Sequence, residues 1–159
     1  MSKFKTKMIY RLLLFILINF AALAIGGFFT GKGVTSAWYA GLAKAPWTPP
    51  GWVFGFAWTT IMVCFSIYLA YLWPLAANRN RLILLFVVQW ILNVGWNPCF
   101  FYFQNVMFGL VLIVALTLIV IALLFMYWQN LGIKSIYILP YVLWLLIATS
   151  LNAYILIKN

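Results

Sequence analysis

One apolar run of this 159-residue chain carries Gln89, Asn93, Trp96 and Asn97 at i, i+4, i+7 and i+8. On an α-helix these positions share one face. A later run repeats the device with Pro140, Trp144, Ala148 and Asn152 at every fourth residue, and Trp58, beside Thr59, lies two turns into another. Amides and indoles hydrogen-bond without ionising, so such faces recognise a partner rather than move protons. Flat indoles, a few amide handles and one small residue, Ala148, fit a planar, mostly apolar ligand with a polar edge. Amides also tie helices together inside membranes. For Asn93 and Asn152 the sequence leaves both roles open.

What the chain lacks narrows the chemistry further. It has no Asp, no Glu and no His. Paired carboxylates for acid–base catalysis are therefore absent, as is a His or acidic cluster for a metal. Proton-coupled transporters relay protons through membrane Asp, Glu or His, and no such relay exists here. No phosphate-binding Walker sequence occurs either. Cys64 and Cys99 sit in apolar stretches and read as buried small hydrophobes.

The elements that hold these faces follow from composition. Hydrophobic residues make up 68%, aromatics 20% and charged residues 6%, with a mean hydropathy of +1.11. Ordinary soluble domains are about a quarter charged, so the solvent for this chain is lipid. The ten Lys and Arg residues give a net charge of +10. They stand at the ends of apolar runs rather than on one face, which speaks for lipid headgroups and against nucleic acid. Crossing the hydrocarbon takes about 20 apolar residues. Five runs qualify, at about 9–29, 51–73, 82–103, 107–128 and 135–157. The expected fold is one all-α domain over 1–159, a compact bundle of five transmembrane helices. The first run continues past its signal-like Ala22-Leu23-Ala24 to Phe29, so it is expected to remain as a helix.

Residues 30–50 form the longest connection. Pro46, Pro49 and Pro50 stiffen it, and Trp38, Tyr39 and Trp47 fill it with rings, followed by Trp52. Thr48 is expected to cap the second long helix, with Pro49 in its first turn. The segment reads as a lid over the ligand face, with interfacial aromatics as the simpler alternative. Pro98 and Pro140 lie inside spans and are expected to kink them, freeing the carbonyls of Val94 and Ile136. Gly27 and Gly31 form a weak GxxxG contact motif. Leu151, Tyr154 and Lys158 match a loose sterol pattern.

These residues resemble the TspO/MBR family of tryptophan-rich sensory and translocator proteins. The resemblance rests on Trp38-Tyr39, Leu42, Lys44, Pro46-Trp47-Thr48-Pro49-Pro50, Phe54-Gly55 and Trp58. It continues through Gln89, Asn93, Trp96 and Phe100-Phe101, then Leu139-Pro140-Tyr141-Val142, Trp144, Ala148 and Leu151-Asn152. Ala45, where the family usually has proline, and Asn97, where small residues or proline are common, depart from it. The resemblance implies a five-helix bundle, usually a homodimer, with a cavity open toward the first loop. It implies binding of porphyrins such as protoporphyrin IX and haem, of isoquinoline carboxamide and benzodiazepine compounds, and in animals of cholesterol. Trp38, Tyr39, Trp58, Asn93, Trp96, Trp144 and Ala148 would line that cavity. Lys44, on the loop, would pair with a propionate.

Three functions compete. The first is a sensor that binds tetrapyrroles. The second is a light- and oxygen-dependent porphyrin-degrading enzyme, in which Trp58 and Trp144 match the family's catalytic tryptophans. The third is a passive carrier of porphyrin or sterol. None requires a cofactor, since the porphyrin itself is ligand or substrate.

Five spans put Lys3, Lys5, Lys7, Arg11, Arg79, Arg81 and Lys134 on one side, and Lys32, Lys44 and Lys158 on the other. Basic residues favour the cytoplasm. The expected location is a bacterial plasma membrane, with a cytoplasmic N-terminus and the C-terminus outside. A C-terminal reporter fusion should be active only outside the cytoplasm; activity inside would overturn this topology.

Overall fold

The computed structural model describes residues 3–159, with side chains from Lys5 onward. Lys3, one of the charges used for topology, has its side chain outside the described residues. Six α-helices follow one another: α1 Lys3–Val34, α2 Ala37–Gly41, α3 Gly51–Leu72, α4 Arg79–Asn97, α5 Val106–Leu131 and α6 Leu139–Lys158. A π-helical turn, Pro98–Tyr102, prolongs α4, and a 3-10 segment, Gly132–Ile138, joins α5 to α6. No strand occurs among the described residues.

Four helical stretches are long and apolar enough to cross a membrane: Lys5–Val34, Gly51–Leu72, Arg79–Tyr102 and Val106–Lys158. The sequence led us to expect five. The difference lies in the last stretch, a continuous helical run of 53 residues. It doubles back on itself, because the Asn152 amide donates to the Val106 carbonyl at 3.1 Å and the Thr117 and Thr149 hydroxyls meet at 3.2 Å. The reversal falls at Gly132, whose φ of 54° suits glycine.

Three local expectations are corrected. Pro140 lies in the first turn of α6, not inside a helix, where its missing N–H costs nothing. Thr48 does not cap α3; the cap position is Pro50, and the Thr48 amide closes a turn onto the Ala45 carbonyl. The lid segment is partly helical: α1 runs on through residues 30–34, and α2, capped by Ser36, fills 37–41.

The packed core lies away from the 35–50 loop. Ile61, Phe65, Tyr68 and Leu69 of α3 meet Leu116, Val120 and Leu123 of α5, with Ile138, Tyr141 and Leu145 beside them. Lipid supplies little hydrophobic drive between helices, so hydrogen bonds and close packing must do more. Asn19 donates to Ser66 at 2.8 Å, Trp90 to the Ile18 carbonyl at 3.1 Å and Tyr68 to the Leu123 carbonyl at 2.9 Å. Leu17, Leu84, Ile91, Leu118, Phe125 and Leu143 point outward and are exposed, a surface suited to acyl chains.

Gly132→Ala should lower stability by about 1–3 kcal/mol, the usual cost of a strained backbone position. Thermal unfolding in detergent measures it, and an unchanged midpoint would show that the reversal does not depend on glycine.

Candidate functional site: a half-enclosed aromatic chamber

Toward the loop end the helices part around a cavity of about 520 Å³. Each helix contributes to it for a local reason. Helix α1 lines it with the small residues Ala22, Gly26 and Gly27 beside Leu23, Thr30 and Val34. Helix α3 begins with Gly51, Phe54, Gly55 and Trp58, which present alternating open space and ring. Helix α4 turns the Asn93, Trp96 and Asn97 face inward. The π-turn then adds a residue to the helical turn, so that two consecutive rings, Phe100 and Phe101, are both buried. Phe100 lies parallel to Trp96 at 5.2 Å, with an interplanar angle of 16°, and Phe101 meets Trp96 edge-on at 5.7 Å.

Of the residues singled out from sequence, Tyr39, Lys44, Trp58, Asn93, Trp96, Trp144 and Ala148 line this chamber. Trp38 does not; its ring backs the wall, edge-on against Phe100 at 5.5 Å. Of the sterol pattern, Leu151 lines the chamber. Tyr154 packs edge-on against Trp47 at 5.4 Å, and Lys158 is exposed in the last turn of α6. Trp58 and Trp144 lie on neighbouring helices whose rings interleave. Trp144 meets Phe54 at 5.2 Å and Trp58 meets Tyr141 at 6.1 Å, both edge-on.

The amides separate into two kinds. Asn152 is a tie: its carbonyl accepts from the Trp96 indole at 3.0 Å, while its N–H reaches Val106. Gln89 is another, donating to the Tyr141 hydroxyl at 2.7 Å below the chamber. The Asn93 side chain is 7% exposed and has no hydrogen-bond partner among the described residues. Its amide therefore remains available in the chamber wall. Asn97 accepts from Thr30 at 2.7 Å and donates to the Asn93 carbonyl at 3.1 Å, which joins α1 to α4. The buried Trp144 indole N–H also lacks a partner.

Among the described residues, Lys44 is the one charged group in the wall. Its ammonium lies 4.5 Å from the Tyr39 ring centre, a cation–π contact. Burial pushes the Tyr39 hydroxyl above its ordinary range, so the ring beneath the ammonium stays neutral.

Sequence reasoning placed Phe54, Gly55, Phe100 and Phe101 in motifs without assigning them to the wall. The FF pair was hidden because no helical periodicity brings adjacent residues to one side. Thr30 and Gly26 carried a usable signal, being small residues one turn apart near the end of the first run.

A chamber of this kind within apolar-faced helices defines a multi-pass integral membrane protein. The chain belongs to the TspO/MBR family, whose profile matches residues 15–157. It is 38% identical to the tryptophan-rich protein TspO of Archaeoglobus fulgidus over 154 residues, covering 96% of this chain and 97% of that one. It is 32% identical to protein CrtK of Rhodobacter capsulatus over 138 residues, 85% and 86% of the two chains. With the human translocator protein it shares 30% identity over 129 residues, 79% and 75% of each.

The two asparagines should behave oppositely. Asn152→Leu leaves the Trp96 N–H unpaired and removes the link to the Val106 carbonyl, and should cost about 1–3 kcal/mol of stability. Asn93→Ala breaks no internal bond and should cost less. Equal losses in thermal unfolding would refute the distinction.

Proposed function

We propose that the chain crosses the bilayer five times, with α5 and α6 as separate antiparallel crossings, and holds a porphyrin or similar planar amphiphile in its loop-end chamber. The observation that carries this reading is the wall itself. Indoles at Trp58, Trp96 and Trp144, rings at Phe54 and Phe100 and the unpaired Asn93 amide surround one space, with a single ammonium among them. A macrocycle packs on the rings, its polar edge meets Asn93, and a carboxylate pairs with Lys44 near the loop. Isoquinoline carboxamides and benzodiazepines share that shape of flat body and polar edge, and a sterol shares the apolar body.

The role that follows is sensing or regulation in tetrapyrrole handling. It is supported by a relative named tryptophan-rich sensory protein from Cereibacter sphaeroides, 30% identical over 115 residues. The division of basic residues supports a cytoplasmic N-terminus in a plasma membrane, and the family supports a homodimer.

A second reading is light-dependent porphyrin degradation, with Trp58 and Trp144 as the redox-active residues. It draws support from these two indoles standing in a wall that, among the described residues, has neither carboxylate nor imidazole. There the excited porphyrin and dioxygen supply the chemistry, and the protein orients the ring.

The test is a tryptophan-quenching titration with protoporphyrin IX in light and dark. Trp58→Phe and Trp144→Phe should weaken binding modestly, since each ring pair contributes on the order of 1 kcal/mol beyond burial. Asn93→Ala should weaken carboxamide binding by about 1 kcal/mol. If all three variants bind like wild type, the chamber is not the site. A product that needs light, oxygen and both tryptophans would favour the enzyme.

A further inference from the structure

The chamber has two boundaries toward the outside, and they are built differently. The loop is fastened to α6. The Trp47 indole donates to Ser150 at 3.1 Å and its ring packs on Tyr154. The Asn159 amide pairs with both backbone groups of Ala43, accepting at 2.9 Å and donating at 3.3 Å. Ala45, within the loop, is buried.

The second boundary is the seam between α1 and α3. Far from the loop it is sealed by the Asn19–Ser66 hydrogen bond and by Phe15 against Trp73. Nearer the loop, α1 turns its tightly packed side away from α3. Asn97 occupies the space that a side chain at Gly26 would need, and Phe101 occupies that at Gly33. Toward α3 the rim is glycine on both sides: Gly27 on α1, Gly51 and Gly55 on α3. All three line the chamber, all three are exposed, and a Cβ added at any of them meets nothing within 4 Å. No side chain at these positions covers the gap.

Depth decides what the gap faces. Gly27 lies seven residues before the end of α1 and Gly55 four after the start of α3. At 1.5 Å per residue these are roughly 10 and 6 Å inside the helix ends. The gap thus lies where headgroups give way to acyl chains. Exposed Phe28, Trp52 and Phe56 flank it, and Trp52 is of a type that favours that zone. Inside, Thr30, Thr48 and Lys44 stand toward the loop and the indoles of Trp58 and Trp144 deeper. The charged group and the hydroxyls thus sit toward the headgroup side, while Asn93 adds an amide to the wall among the indoles.

We infer that planar amphiphiles enter and leave sideways from the lipid, through the glycine-rimmed slot between α1 and α3, while the aromatic loop stays fastened. The identity of the ligand rests on the binding reading above; the slot does not.

The test has two arms. In the first, protein without ligand is placed in phosphatidylcholine vesicles carrying a photoreactive diazirine on the acyl chain. Illumination should label Phe54 or Trp58 as well as the outer residues Ile91 and Leu118. Gly55→Trp, or Gly27→Phe on the opposite rim, should abolish chamber labelling and leave outer labelling intact. In the second arm, stopped-flow quenching follows protoporphyrin IX delivered in vesicles. The rim variants should slow association and dissociation together, each several-fold. Asn159→Ala combined with Ser150→Ala should leave both rates as they are. Labelling confined to outer residues, or rates that respond to the loop fastening and not to the rim, would overturn the inference. Chamber labelling by lipid without porphyrin binding would uphold the slot and defeat the binding reading.

Discussion

Inside a bilayer there is no water to satisfy a polar side chain, and the architecture of this protein follows from that. Most amides and hydroxyls that face another helix find a partner there, although Gln89 Oε1 and Ser135 Oγ are buried without one among the described residues. Asn19 finds Ser66, Gln89 finds Tyr141, Thr117 finds Thr149, and Asn152 joins Trp96 to Val106. These bonds connect α1 to α3, α4 to α6 and α5 to α6, which is most of the bundle. Against that background the Asn93 amide is an exception. It is nearly buried, faces a cavity and has no partner among the described residues. A polar group in that condition is expected to have an external partner for part of its working life.

The chamber exists because two backbone choices hold the helices apart on one side and close together on the other. Glycine at positions 26 and 33 lets α1 approach the α4 face closely enough for Asn97 and Phe101 to fill the seam. Glycine at positions 27, 51 and 55 leaves the other seam unfilled. The π-turn at Pro98–Tyr102 then brings Phe100 and Phe101 together under α2. The same residue type thus produces contact in one place and vacancy in another, and the difference lies in which face of α1 each glycine occupies.

Much of this was legible in the sequence. Spans came from apolar length, and the inward faces of α4 and α6 came from the spacing of Asn93, Trp96, Trp144 and Ala148. Spacing did not reveal features set by irregular backbone. The break near Gly132 was legible, since the expected spans stop at 128 and resume at 135, but Pro140 was placed inside a helix because the 3-10 segment before it has no compositional mark. Trp38 was assigned to the wall by the family resemblance, but α2 turns it behind Phe100. Whether Asn152 is glue or handle could be decided only by seeing Trp96 and Val106 beside it.

With no Asp or Glu, the cations have no acidic side chain to pair with, and four of them lie over rings instead. Lys32 lies over Phe28, Lys44 over Tyr39, Arg79 over Trp73 and Lys134 over Tyr71. With no Asp, Glu or His in the chain, no side chain changes charge between about pH 4 and 7. The protein is thus a fixed-charge host across the acidic range. Any acid dependence of uptake in that window belongs to the guest, and a titration of affinity reads the ionisation of the guest's own carboxyl groups.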